Sequence, residues 1–349
     1  MIVHDPDGRW VEGEDLDWAE LPERVEGVVA SRVDRLPEEL RNLLTIASVE
    51  GEEFTAEILS GVQGLDRRET IRLLSRDLET RHRLVRARGV RTIDNGRVSR
   101  FGFSHVLFQR YLYGAVNEVE RVQLHHDVGA ELETLHGGDT EEIDVQLAQH
   151  FEKAGILDKA IQYFYQAGRS SVYRTANREA IGHFQKALEL LGGLPESPER
   201  DGQELALQME VQGPLITTFG WGDPRVERAA ERAYLLAEQV GENALLVPVL
   251  FQAAMFEACA RSVPRGIDLG ERLLALAQEL TDDSGIILAH LLLGLLNASA
   301  GNLVGARDHF EEVLCRYDPV QHHPLALLSG LDPGVASAGH LSWLTAHMG

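Results

Sequence analysis

The sequence predicts a mainly α-helical chain in two parts, a small module of three helices closed by a β-hairpin and then a long run of antiparallel helix pairs. Three observations carry this. Apolar residues recur at helical spacing through most of the 349 residues. That period breaks once, where LVRARGVRTI and RVSRFGFS flank Asp94-Asn95-Gly96. Asn-Gly between strand-like runs is the strongest short hairpin signal, because both turn positions need positive φ. From about residue 118 the helical pattern itself repeats, small residues alternating with large ones.

The elements follow in order. The first 20 residues (GRWVEGEDLDW among them) are acidic and aperiodic, so they read as a loop or a frayed strand pair. Pro22 stands in the first turn of a helix whose apolar stripe is Val25, Val28, Val29, Val33 and Leu36. Pro37 opens a second, with Leu40, Leu43, Leu44 and Ala47 on one face and Gly51 at its end. Phe54 to Leu59 reads as a short helix. Asp66 caps a longer one, DRRETIRLLSRDLE, with Glu69 placed to complete a capping box. Three short helices and a hairpin form the order of a winged helix over roughly 27–104. Ser104 is then the expected N-cap of the next helix.

Beyond residue 118 the pattern is that of tetratricopeptide (TPR) helix pairs. It runs through Leu147, Ala148, Phe151, Ala154, Ala160, Phe164 and Ala167, and returns at Leu293, Gly294, Ala300, Ala306, Phe310 and Val313. A weaker copy aligns Gly266 with Ala306, and Ala180, Phe184 and Ala187 mark another second helix. Such units bury their faces only against neighbours, so they stack into a superhelix. LGGLPESPERDG, 191–202, reads as a linker. The apolar run from Ile286 is too short to span a bilayer and contains His290 and Asn297, so it reads as a buried helix.

Composition bounds the function. Apolar residues make up 44% and charged residues 25%, as in an ordinary globular protein. No basic stretch followed by an apolar run opens the chain, so a cytoplasmic location and no membrane partner are expected. Two cysteines, Cys259 and Cys315, are too few for a disulfide framework or a zinc site and read as buried thiols. The net charge is −22, yet residues 67–100 hold 11 arginines against 4 acids. Arginine outnumbers lysine 30 to 3, which points to a GC-rich, bacterial genome.

LPERVEGVVASRVDRLPEELRNLLTIASVEGEEF, FSHVLFQRYLYGAV and RVQLHHDVGAELE resemble the winged-helix junction of bacterial STAND-type ATPases, signal-transduction ATPases with numerous domains. LAQHFEKAGILDKAIQYFYQAG, ANREAIGHFQKALELL and YDPVQHHPLALLSGLDPGVAS are similar to the TPR region of predicted ATPases often fused to class III adenylate/guanylate cyclases. The last motif has LLSG here where an aromatic-tyrosine pair is the family's pattern. The resemblance implies three parts: residues 1–26 as the tail of a nucleotide-binding module plus linker, 27–117 as a winged helix, and 118–349 as an incomplete TPR-like domain. It also implies that the chain is a fragment, ending at AHMG partway through a helix pair.

No cofactor is expected in this chain. A Walker A loop needs a glycine-rich turn ending in Gly-Lys-Ser/Thr, and Lys153, Lys159 and Lys186 all fall inside helical patterns. ATP or ADP would sit on the module elsewhere, and the chain itself is expected to be no enzyme.

Among candidate sites, His105 stands at the F-x-H-x-x-F position that in related STAND proteins reaches the ADP phosphates; alternatively it packs under the wing. Arg67, Arg68, Arg72, Arg76, Arg81, Arg83, Arg86, Arg88 and Arg91 form a basic face. It suits DNA, since a winged helix presents its third helix and wing to a duplex, or it docks on an acidic module or is simply solvated. His125-His126-Asp127 is no metal site by spacing, because adjacent helical residues point about 100° apart. His322-His323 lie in a turn without evident partners, and no G-x-S-x-G elbow supports a hydrolase. Gln252, Glu257, His290 and Asn297 are expected to line the groove of the repeats, exposed to a protein or peptide partner. The expected role is a regulatory arm coupling that partner to the nucleotide-binding module. A DNA-binding regulator and a free-standing TPR adaptor are the alternatives.

Overall fold

The computed structural model describes residues 2–4, 10–12, 23–93, 96–240, 243–326 and 330–348. The chain divides into two compact units, residues 1–160 and 161–349. The boundary expected at 117/118 lies inside the first.

At the start of unit 1, β1 (Ile2–His4) and β2 (Trp10–Glu12) pair antiparallel. Helix α1 (Glu23–Asp34) buries Val29 and Val33, while Val28, expected on the same stripe, is exposed. Helix α2 (Glu38–Glu50) follows Pro37 and buries Leu40, Leu43, Leu44 and Ala47. The next segment corrects the sequence reading. Phe54 is not helical: β3 (Glu53–Thr55) pairs with a later strand, and α3 (Ala56–Gln63) starts only after it. Three residues are too few to show alternation, so pairing partners far along the chain decide their state. Phe54 packs between Phe101 and Phe103, with ring centroids 6.3 and 5.2 Å away.

The Asp66 carboxylate caps α4 (Arg67–Arg72) by accepting from the Arg68 and Glu69 amides. Glu69 turns to Arg72. The helix then widens into a π-helix over Leu73–Arg81, where an uninterrupted α-helix was expected. The amide of His82 and the hydroxyl of Thr80 each reach back five residues, to the carbonyls of Asp77 and Ser75. Strands β4 (Val85–Ile93) and β5 (Gly96–Phe103) form the expected hairpin, with Ile93 opposite Gly96 and a bulge between Ala87 and Gly89. The turn residues Asp94 and Asn95 lie outside the described residues. The sheet order β3-β5-β4 puts β5 in the centre, burying Val98, Phe101 and Phe103.

Helix α5 (Val106–Ala115) is N-capped by His105, not by Ser104. Asn117 caps α6 (Glu118–His136), which packs on α2 and α3. That packing keeps α6 and α7 (Asp144–Lys153) in unit 1.

The unit boundary falls within α8 (Leu157–Tyr173). Unit 2 continues with α9 (Asn177–Gly192), α10 (Pro198–Phe219), α11 (Pro224–Val240), α12 (Asn243–Ala260), α13 (Val263–Glu279), α14 (Asp283–Ser299) and α15 (Leu303–Arg316), and closes with helix Pro333–Met348. From α9 to α15 each helix packs on its chain neighbours. The small-large pattern is an interlock. A Cβ on Gly168 would stand 2.4 Å from the buried ring of Phe184, and one on Gly294 2.6 Å from that of Phe310. The expected positions Ala306, Val313, Ala180 and Ala187 are buried, whereas Ala154 is half-buried and Ala300 exposed at helix ends.

Two further expectations need correction. The 191–202 linker is shorter, because Ser197 caps α10 and Pro198 takes its first turn. Cys259 and Cys315 are exposed. Cys315 stands two residues past buried Val313, about 200° around the helix from the packed stripe. Among the described residues no helix is long and apolar enough to cross a membrane.

Candidate functional site

The joint of unit 1 is built around α5. Phe103 and Phe108 are buried on either side of His105, which is exposed in extended backbone at φ −151°. Its Nδ1 accepts from the Leu107 amide at 3.2 Å. An accepting Nδ1 on a neutral ring leaves the proton on Nε2, which has no partner among the described residues. His105 is thus bonded to backbone, as one reading had it, but exposed rather than packed under the wing. The Arg32 guanidinium lies 4.9 Å from the centroid of Phe108 and donates to the His82 carbonyl, and Gln109 donates to the Ser48 carbonyl. These contacts fix α5 on the helices before it.

Further along α5, Tyr113 Oη lies 3.0 Å from His125 Nε2, and His125 Nδ1 lies 2.9 Å from His150 Nδ1. Both histidines are buried. Burial above all, with Lys153 and Arg121 adding like charge, lowers His125 to about 4. Burial, then the neighbouring His125 and Lys153, lowers His150 to about 3. Two neutral rings satisfy this chain, one Nδ1 donating and the other accepting. His126 points elsewhere, to Asp127. The sequence reading missed the pair, although His125 shares a stripe with Val128, Gly129 and Leu132 and so announces its burial.

The basic face is partly neutralised from within. Arg67 pairs with Glu57, Arg72 with Glu69, Arg88 with Glu53 and Arg91 with Glu142. Arg68, Arg76, Arg81, Arg83 and Arg86 are exposed and have no ion pair among the described residues. Arg72, Arg76, Asp77 and Thr80 line an open depression of about 580 Å³.

The four groove residues do not share an exposed surface. His290 is 9% exposed, with Nδ1 2.9 Å from His309 Nδ1, and burial lowers the pKa of both rings. Asn297 donates to the Leu293 carbonyl and accepts from Asn302 across the turn to α15. The cause is the composition of α14, apolar around most of its circumference from Ile286 to Leu296, so that nearly all of this stretch is buried. Gln252 and Glu257 on α12 are half-buried, and each holds one buried oxygen without a hydrogen bond among the described residues, Oε1 and Oε2 respectively. His322 and His323 do have partners, the Asp318 amide and Asp332. The turn that looked bare is closed by Asp332, which also accepts from Tyr317.

No family model matches the chain. Over 140 residues it is 32% identical to an uncharacterized protein of Rhizobium meliloti (strain 1021), a stretch that covers 40% of this chain and 14% of that protein. Three solved structures are similar. A STAND protein with a tetratricopeptide repeat sensor from Pyrococcus horikoshii aligns with 97% of this chain and 51% of its own, at 14% identity and a TM-score of 0.42. Aspartyl phosphate phosphatase F from Bacillus subtilis aligns with 93% and 79% at 11% identity and 0.44. The apo form of RapI aligns with 91% and 87% at 14% identity and 0.41. None reaches a TM-score of 0.5, and the architecture described above rests on this chain's own packing.

Proposed function

We propose that the chain is a non-catalytic regulatory arm. Residues 27–117 act as a winged helix and the later helices as a TPR-like stack that binds a protein partner. The arm belongs to a STAND-type ATPase whose nucleotide-binding module, with its ATP or ADP, lies outside this sequence. The observation that supports this best is the stacking of each helix from α9 to α15 on its chain neighbours, locked where Phe310 fills the space over Gly294. Such solenoids offer long surfaces to partners and bend as units. His105 supports the coupling. A ring whose Nδ1 is committed to its own helix holds Nε2–H ready for an anion at a helix start, where free amides favour negative charge. Partner binding would shift the population in which that contact is made. The test uses the full ATPase: His105→Ala should speed ADP release about tenfold, the loss of one charge-assisted hydrogen bond. Release at the wild-type rate would sink the coupling.

The five unpaired arginines favour a second reading, binding of a nucleic-acid backbone by the winged helix. Duplex affinity should then fall with a log–log salt slope of about −4 to −5. No binding at low salt removes it.

A further inference from the structure

A cleft of about 460 Å³ in unit 2 opens between α11, α12 and α13. Its floor is apolar and carries small side chains, Ala230 and Ala253, beside Phe256, Leu235 and Leu269. Half of the Leu235 side chain is exposed. Two guanidinium braces hold the walls. Arg261, in the turn after α12, bonds to Glu227 and Glu231 of α11 and to Glu257 of α12, and lies 5.4 Å from the Phe256 centroid. Arg272 of α13 bonds to Tyr234 and Glu238 of α11. The cavity is therefore pre-formed, and a ligand need not order it.

Its electrostatics are unbalanced. Three carboxylates, Glu227, Glu231 and Glu257, converge on the single charge of Arg261. Oε1 of Glu257 is held by Arg261, while Oε2 is buried and accepts no hydrogen bond among the described residues. The carboxylate open to an entering donor is Glu231, which lines the cleft and keeps 57% of its side chain exposed. The Arg261 guanidinium over Phe256 already shows the kind of group the site holds, a cation beside an aromatic ring. Arg265 on the rim, which has no ion pair among the described residues, is the one feature that would favour an anion.

We propose that this cleft is a binding site for a cationic group on an apolar body, such as a lysine or arginine side chain with an apolar neighbour in a partner's chain. The apolar part fills the space over Ala230 and Ala253, and the cation pairs with the exposed carboxylate of Glu231. The proposal deepens the reading of unit 2 as a partner-binding stack. It is tested on this chain alone, so it stands or falls separately from coupling to any ATPase.

The experiment is a ligand-observed NMR titration of the whole chain at pH 7 with two probes of one shape, 2-phenylethylammonium and 3-phenylpropionate. The ammonium probe should bind and the carboxylate should not at the same concentration. Glu231→Gln should weaken the ammonium about tenfold. Ala253→Leu, which fills the floor without touching a charge, should abolish binding in a protein whose circular dichroism and Tm match wild type. Equal binding of both probes, preference for the carboxylate, no binding of either, or unchanged binding in either variant would overturn the proposal.

Discussion

The two units bury different things, and that difference decides what each is sensitive to. Among the described residues, the buried carboxyls Glu50, Glu57 and Asp144 all lie in unit 1. Unit 2 instead buries bare backbone under aromatic rings, at Gly168 beneath Phe184 and Gly294 beneath Phe310. The corresponding contact in unit 1, Gly129 against Phe151, is looser, at 3.2 Å to an added Cβ. Unit 1 should therefore lose stability as its buried carboxyls ionise, and unit 2 should be the more sensitive to steric change. Both carry a His–His pair of nearly the same geometry, with ring centroids 5.0 and 5.2 Å apart.

Substitutions can break this contrast or sharpen it. One of the two largest effects should come from emptying an interlock. Phe310→Ala removes a fully buried ring, and chemical denaturation should show a loss of about 3–5 kcal/mol. Of similar size is a proton effect carried by Glu50 in unit 1. Burial above all pushes the Glu50 carboxyl up to about 8 from an ordinary 4.5, against hydrogen bonds from Thr55 that lower it. The native state then holds a proton that the unfolded chain has lost, so stability falls as pH rises from about 4.5 to 8, by on the order of 4–5 kcal/mol at 1.36 kcal/mol per unit. Urea unfolding of Glu50→Gln at pH 5 and 8 should show that slope flattened. His125 and His150 act with the opposite sign. Their native values lie below 6.5, so their contribution is intact above about 6.5 and is lost as pH falls toward 3.

Smaller effects follow. Gly168→Ala should destabilise by about 1–3 kcal/mol through its clash with Phe184. Gly182→Ala, on the neighbouring helix with open space around its Cβ, should stabilise by about 1 kcal/mol. Opposite signs for the same substitution would isolate the interlock. Thr281, a β-branched residue held at φ +51°, should gain about 1 kcal/mol on replacement by glycine, read as a rise in Tm.

Helix order, the hairpin and the interlocking positions were legible in the sequence because each rests on local period or turn chemistry. Phe54 in a strand was not, since only Phe101, 47 residues later, makes it one. The π-widening after Arg72 leaves no compositional mark. Exposure of the groove residues was misjudged for a different reason: His290 and Asn297 look polar in isolation, but Ile286 to Leu296 is packed on most sides and both side chains bond within the unit. The unit boundary likewise depends on α6 lying on α2 and α3, a contact no local pattern specifies. At the candidate site, the F-x-H-x-x-F spacing located His105, whereas its tautomer follows only from the 3.2 Å contact with the Leu107 amide.

That boundary also sets the most direct test of the regulatory reading. In the full-length ATPase that this reading proposes, truncation after Ala160 removes unit 2 while leaving α6 on its supports, as a cut at 117 would not. Basal ATP hydrolysis should then change by at least about fivefold, the lower end of ordinary allosteric coupling. A truncated enzyme with the basal rate of the intact one would contradict the account.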